Sequence, residues 1–239
     1  MEKIITYENI RSFAYVNDQI VKKPILGIAI DFFGLGGQNM FWDETKTGKL
    51  LGKQGILFVV PYNNPWAWMN RQAVNYTDEI LDVLFSYYNL DEKIPIVSTG
   101  GSMGGQSALV YTRYAKRTPV MCVANCPVCD LPYHFTERVD LPRTLYSAFY
   151  NENTDLESAL KSASPLHLAS TMPNIEYHLF HCTNDSAVNI DKHSKRFVLE
   201  MEKEGKSITL DIVPDREHCD LTQEANEKYY KYIIDAIVK

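Results

Sequence analysis

Short runs of branched apolar residues recur along the chain, each closed by glycine or proline and followed by an amphipathic stretch. That rhythm is the pattern of strands joined by helices, and it predicts an α/β fold with a mostly parallel central sheet and helices on both faces. Residues 25–30 and 55–60 read as buried strands, the second stopped by Pro61. Further strands are predicted over residues 94–99, 120–124, 175–182 and 207–213, with one or two edge strands over residues 3–16. Helices are predicted over residues 72–88, where Ala73, Tyr76, Ile80, Leu84 and Tyr87 recur at helical spacing, and over residues 104–117, 190–204 and 221–238. One segment breaks the rhythm. Residues 127–173 carry five prolines and no strong strand signal. A connection this long inside a compact domain is usually functional, so short helices forming a lid or cap over the site are expected there. With no repeat, low-complexity tract or Gly/Ser linker, residues 1–239 read as one domain.

The residues that carry chemistry begin with Gly100-Gly101-Ser102-Met103-Gly104-Gly105, which matches G-x-S-x-G and lies between a predicted strand and a predicted helix. A serine hydroxyl is a weak nucleophile until a base takes its proton. It must also stand clear of the sheet on a sharp, strained turn, and glycines let the neighbouring chain pass close by. A phosphate-binding loop would need a lysine after the last glycine, and a dinucleotide fingerprint would need G-x-G-x-x-G after the first strand. Neither is present. The nucleophile motif then requires an acid and a histidine, in that order along the chain. Asp185 follows the strand at 175–182, and His218 follows the strand at 207–213. Both fall on the same edge of the predicted sheet as Ser102. The other histidines are His134, His167, His178, His181 and His193, and Asp191 is the main rival acid. The first five precede or miss the expected loops, and Asp191 falls in a predicted helix.

Composition narrows the partners. A net charge of −6 argues against a general nucleic-acid binder, which needs a basic face. No apolar run is long enough to span a membrane, and the start of the chain lacks the pattern of a secretory leader. A cytoplasmic protein is therefore expected. The odd count of five cysteines does not suggest a disulfide framework. Cys126-Pro127-Val128-Cys129 has C-x-x-C spacing but no matching second pair and no thioredoxin-like context, so no metal site is expected. Tyr62, Trp66 and Trp68 follow a strand end on the catalytic edge, and His134 lies in the cap segment. These four are candidates for a substrate pocket, although aromatic residues are as often core.

From about residue 25 onward the chain resembles the α/β-hydrolase superfamily, and within it the prolyl-oligopeptidase-like and dienelactone-hydrolase-like serine esterases. The matching stretches are Gly100 to Gly105, Ser164-Pro165-Leu166-His167, Thr183-Asn184-Asp185-Ser186-Ala187-Val188 and Glu217-His218. The resemblance implies the α/β-hydrolase fold, a Ser102–Asp185–His218 triad and acyl transfer through an acyl-enzyme, with no metal or cofactor. It also implies an oxyanion hole built from the Leu35 and Met103 amides, each such donor being worth a few kcal/mol. Two departures stand out: Phe33 occupies the histidine position of the family's H-G-x-G-G loop, and Cys182 stands where glycine is common. The expected function is a carboxylesterase-like serine hydrolase acting on small esters, such as acylated sugars or aromatic plant-derived esters. A peptidase of the same mechanism, acting on short peptides, is the alternative; its relatives generally carry an extra N-terminal domain that this chain has no room for. A non-catalytic binding relative is a third reading, opposed by the intact Ser, Asp and His.

Overall fold

The computed structural model describes residues 4–37 and 39–238. In chain order the elements are β1 (Ala14–Val16), β2 (Gly27–Phe32), α1 (Lys46–Gly52), β3 (Ile56–Pro61), α2 (Arg71–Tyr88), β4 (Ile96–Gly101), α3 (Met103–Tyr114) and β5 (Met121–Asn125). They continue with α4 (Leu131–Glu137), α5 (Leu141–Phe149), α6 (Leu156–Ser162), α7 (Pro165–Leu168), β6 (Glu176–Cys182), α8 (Ser194–Lys203), β7 (Ser207–Val213) and α9 (Gln223–Val238). The seven strands form one sheet in the order β1-β3-β2-β4-β5-β6-β7, with β1 antiparallel to β3 and the other pairs parallel.

Alternation along each strand divides the core between two faces. Ile28 and Ile30 of β2 pack with Ile80 and Leu84 of α2, Leu109 of α3 and Phe197 of α8. Ala29, Val97, Val123 and Phe180 point the other way and meet Leu51 of α1 and Tyr229, Ile233 and Ile237 of α9. The α9 residues recur every four positions, the spacing that keeps one helical stripe against a sheet. A third cluster joins the helices of residues 127–173. Leu131, Leu141, Leu145, Phe149 and Leu160 pack with Trp68, with Met103 next to Ser102 and with Val188 just beyond Asp185. Gln106, fully buried on α3, donates from Nε2 to the carbonyls of Trp68 (3.1 Å) and Ala163 (2.7 Å), tying the end of α6 and the Trp68 loop to α3. Among the described residues no helix is long and apolar enough to cross a membrane.

The predicted strands and helices are present, shifted by a few residues at their ends. Segment 127–173 forms the short helices α4 to α7. The expected edge strands over residues 3–16 reduce to β1, preceded by a 3-10 turn at Tyr7–Ser12; residues 1–3 lie outside the described part. Tyr7 stacks on Tyr87 and accounts for the difference, because it docks this turn on α2 instead of a neighbouring strand. Helix α1 was not expected: its sequence KTGKLLG has only one full turn of apolar signal, and Thr45 caps it by accepting from the Gly48 amide at 2.8 Å.

Two glycines explain the turn between β4 and α3. A Cβ on Gly104 would sit 2.0 Å from the Phe32 carbonyl oxygen, and one on Gly100 would sit 2.3 Å from the Gly104 carbonyl oxygen. Helix α3 therefore crosses the ends of β2 and β4 at a distance only a bare backbone allows. Gly104→Ala pits a methyl against two rigid backbones, and it should lower unfolding free energy by more than about 3 kcal/mol. A urea midpoint within error of wild type would refute this.

Candidate active site

The strand order reverses beside β2: the chain steps outward to β3 on one side and to β4 on the other. Crevices at such a switch point, beyond the carboxyl ends of the strands, are where open α/β sheets bind ligands. Ser102 follows β4 there, with φ 61° and ψ −126°, a conformation costing on the order of 1–3 kcal/mol. Backbone bonds hold it. Its N–H donates to the Asn125 carbonyl at 2.9 Å, and its carbonyl accepts from Gln106 N–H (3.1 Å) and Val128 N–H (3.4 Å). Met103 opens α3, so the helix's unpaired amides and positive dipole end face the crevice.

The loop after β2 forms the other wall. Gly36 N–H donates to the Pro65 carbonyl at 2.9 Å and Gly37 N–H to the Gly34 carbonyl at 3.0 Å. Gly34 is close enough that a Cβ on it would lie 3.8 Å from the Ser102 Cβ. Among the hydrogen bonds of the described residues, neither the Leu35 nor the Met103 amide is already spent. Phe33 supports the loop by packing, stacking on Phe41 (5.8 Å between ring centres) and Tyr62 (6.4 Å).

Asp185 and His218 come together although they lie on separate loops. The register that pairs Cys182 with Val213 sets the ends of β6 and β7 side by side. Asp185 Oδ2 then accepts from His218 Nδ1 at 2.6 Å, while Oδ1 accepts the amides of Ala187 (2.9 Å) and Val188 (2.8 Å). His181, fully buried, brings Nε2 to 3.3 Å from the same carboxylate. Burial alone would raise the Asp185 pKa, but His181, His218 and the Val188 amide hold it well below the ordinary carboxylate range. Burial pulls His218 down, and its bonds to Asp185 and the Cys126 thiol outweigh that, raising it to about 9. The Cys126 thiol is itself pushed far up by its bond to Cys219 and by burial, so it stays protonated and Asp185 supplies the anionic partner.

With Nδ1 committed to Asp185, Nε2 is the ring nitrogen left for chemistry. It lies 3.7 Å from Cys219 Sγ, and among the described residues no hydrogen bond yet joins it to the Ser102 hydroxyl. The two groups nonetheless share a rim. The Asn125 carbonyl that takes the Ser102 amide is also 3.7 Å from Cys219 Sγ, and Asn125 Nδ2 donates to the Cys219 carbonyl at 3.2 Å. Catalytic hydrogen bonds often tighten only when substrate is bound.

The pocket candidates divide. Tyr62 and Trp66 line a cavity of about 240 Å³ with Asn70 and Ser147, though none of Ser102, Asp185 or His218 is on its wall. Trp68 and His134 are corrected to packing residues. Trp68 is 1% exposed and donates from Nε1 to Thr144 at 3.1 Å. His134 is 2% exposed, bonded to Glu137 and edge-on to Trp68. Neither offers surface to a substrate. The rival acid Asp191 is exposed and paired with Lys195 at 2.6 Å. The C-x-x-C pair is split: Cys126 packs on one face of the sheet and Cys129 on the other. The sequence reading missed the His181–Asp185 contact. The strand-end position of Cys126 and Cys129 suggested thiols near the site; of that pair it is Cys126 that meets His218, joined by Cys219, whose adjacency to His218 was a second signal.

Residues 80–237 match the Prolyl oligopeptidase family. No curated protein sequence matches significantly. Among solved structures, acylaminoacyl peptidase from Pyrococcus horikoshii superposes with TM-score 0.71 at 14% identity, over 95% of this chain and 39% of that one. S-formylglutathione hydrolase from Agrobacterium tumefaciens gives 0.70 at 15% identity, over 94% and 88%. Thermogutta terrifontis esterase 2 gives 0.64 at 16% identity, over 92% and 87%. The chain spans about a third of the length of such peptidases (35% and 38% for two of them) and most of the length of the esterases. These likenesses show the α/β-hydrolase fold.

Proposed function

The chain belongs to the prolyl oligopeptidase family and is a serine hydrolase, and on that premise we propose that it cleaves small carboxylic esters through Ser102, His218 and Asp185. The observation that carries this reading is the 2.6 Å Asp185–His218 bond on the same sheet edge as the strained Ser102. Ser102 Oγ attacks the acyl carbon as His218 Nε2 takes its proton. The developing oxyanion is held by the Leu35 and Met103 amides. His218 returns the proton to the leaving alcohol, and the resulting acyl-enzyme is cleaved by water with the same base. Asp185 fixes the Nδ1–H tautomer and stabilises the imidazolium. The cap, packed on Met103 and Val188, bounds the crevice, and the cavity at Tyr62 and Trp66 offers an aromatic wall for an acyl or alcohol group.

Peptide cleavage is the second reading, favoured by the likeness to acylaminoacyl peptidases, one of them solved with a peptidyl chloromethyl ketone. An alkoxide leaves more readily than an amine, so the ester reaction asks less of the same groups. We expect kcat/KM on short p-nitrophenyl esters to exceed that on the matching aminoacyl p-nitroanilides by at least about 100-fold, a difference of about 2.7 kcal/mol in barrier. Equal values, or faster anilide cleavage, would give the peptidase reading the place.

A further inference from the structure

Three thiols gather behind the proposed base. Cys126 follows β5, Cys182 ends β6 and Cys219 lies on the loop between β7 and α9, and Cys126 and Cys219 touch His218. Cys126 Sγ, Cys219 Sγ and a ring nitrogen of His218 all lie within 4.8 Å of one another. Tetrahedral zinc with bonds of about 2.3 Å to sulfur and about 2.0–2.1 Å to nitrogen sets its ligand atoms about 3.5–3.8 Å apart. The His218 Nε2–Cys219 Sγ separation is 3.7 Å. Cys126 and Cys219 both hold left-handed backbone, φ 45° and 59°. Conformations of that kind persist where the surrounding structure requires them.

The surroundings suit a cation. His218 Nδ1 is bonded to Asp185, the carboxylate–histidine arrangement that orients a metal-binding imidazole and raises its basicity. Cys126 Sγ accepts the amides of Cys182 (3.5 Å) and Cys219 (3.4 Å), bonds that would strengthen on a thiolate. Cys219 is half-buried and lines a cavity with Asp31, Gly101 and Asn125, which gives an ion a way in. Asn125 Oδ1 is buried there without a partner among the described residues. That leaves an acceptor for a water completing a four-coordinate ion.

Two other clusters have comparable spacing, and hydrogen bonding disqualifies both. In His134–Glu137–His193, His193 Nδ1 accepts the amides of Cys129 and Asp130, so Nε2 carries the proton and donates to Glu137 at 2.8 Å. In Cys126–His181–Asp185, His181 Nε2 faces the Val188 carbonyl at 3.0 Å and must donate to it. In each case a fixed carboxylate or carbonyl acceptor holds that proton, so the nitrogen frees no lone pair for a metal.

We propose that Cys126, Cys219 and His218 bind a thiophilic divalent cation of the zinc type, and that the bound ion silences the hydrolase by occupying Nε2 of its base. The silencing half rests on the assignment of His218 as the base. Binding forms two S–metal bonds and one N–metal bond; the two thiol protons, and the Nε2 proton wherever His218 is charged, leave to solvent. Only the free enzyme retains a lone pair for Ser102, so metal and catalysis exclude each other.

The test uses the full-length reduced protein, titrated with cobalt(II) as a visible probe and zinc(II) as competitor. One equivalent of cobalt should give a thiolate-to-metal charge-transfer band, displaced by zinc. Zinc at ten times its Kd should lower esterase kcat/KM about tenfold by mass action, and a chelator should restore it. Cys219→Ser, at the half-exposed position, should lose the band and weaken zinc binding at least about 100-fold, with each variant's inhibition read against its own metal-free rate. His218→Ala should change the cobalt spectrum. No thiolate band in wild type, or a band unchanged in Cys219→Ser, overturns the site. Fluorophosphonate labelling of metal-free protein reads the hydrolase separately: labelling without a band sinks only the metal site, and a band without labelling sinks only the hydrolase reading.

Discussion

Replacing Ser102 with alanine should lower ester kcat/KM on the order of 10⁴–10⁶-fold and abolish labelling by a fluorophosphonate. The size follows from the division of labour at the site. Amide donors and binding alone leave a modest residual rate, because no covalent intermediate can form without the hydroxyl. The fold should survive. Alanine meets the same φ of 61° that serine does, and the bonds that hold the turn come from the backbone of residue 102, not its side chain. Intact-mass analysis after labelling checks the chemistry, and circular dichroism checks the fold. The informative contrary result would be a well-folded Ser102→Ala protein that still turns over. Cys219, beside the same imidazole, would then be the nucleophile to examine.

Asp185→Asn is the second large effect, and pH exposes it. The base works as neutral imidazole, and His218 stands at about 9. Below that value most of it is protonated, so wild-type kcat/KM should climb about tenfold per pH unit from 7 to 8 and level off above about 9. Asparagine removes the anion and offers Nδ1 the wrong partner. With burial then unopposed by that charge, the His218 pKa should fall, shifting the rising limb to lower pH. The plateau should drop on the order of 10⁴-fold. Stability runs the opposite way with pH. A histidine raised from 6.5 to about 9 contributes its full stabilisation below 6.5 and loses it as pH rises through about 9. Asp185, held low, contributes above its ordinary carboxylate pKa and loses that contribution in acid. A wild-type profile already flat above pH 7 would show that the imidazole is not held this way.

Much of this site was readable before any coordinates. The G-x-S-x-G turn is a local device, and its glycines announce a close crossing that the Gly104–Phe32 contact makes concrete. Asp185 and His218 were legible because each follows a strand by a few residues, and parallel strands end on one edge. Trp68 and His134 were misplaced for a related reason. Trp68 follows a strand end and His134 falls in segment 127–173, but neither position carried information about how the helices of that segment pack on Trp68. Segment 127–173 itself read as short helices. That it has a core of its own, pinned by Gln106, depends on partners up to 57 residues away in sequence.

The chain's periodicities and turn residues decided which segments become strands and helices, and the order in which Ser102, Asp185 and His218 appear. Those signals act over a few residues, through side-chain spacing and backbone freedom, so they survive being read one window at a time. Only the tertiary structure decided which strands lie side by side, which face each cysteine took, and that Asp185 would stand between two histidines. Those outcomes come from sheet register and burial, which join residues whose separation in the chain leaves no local trace.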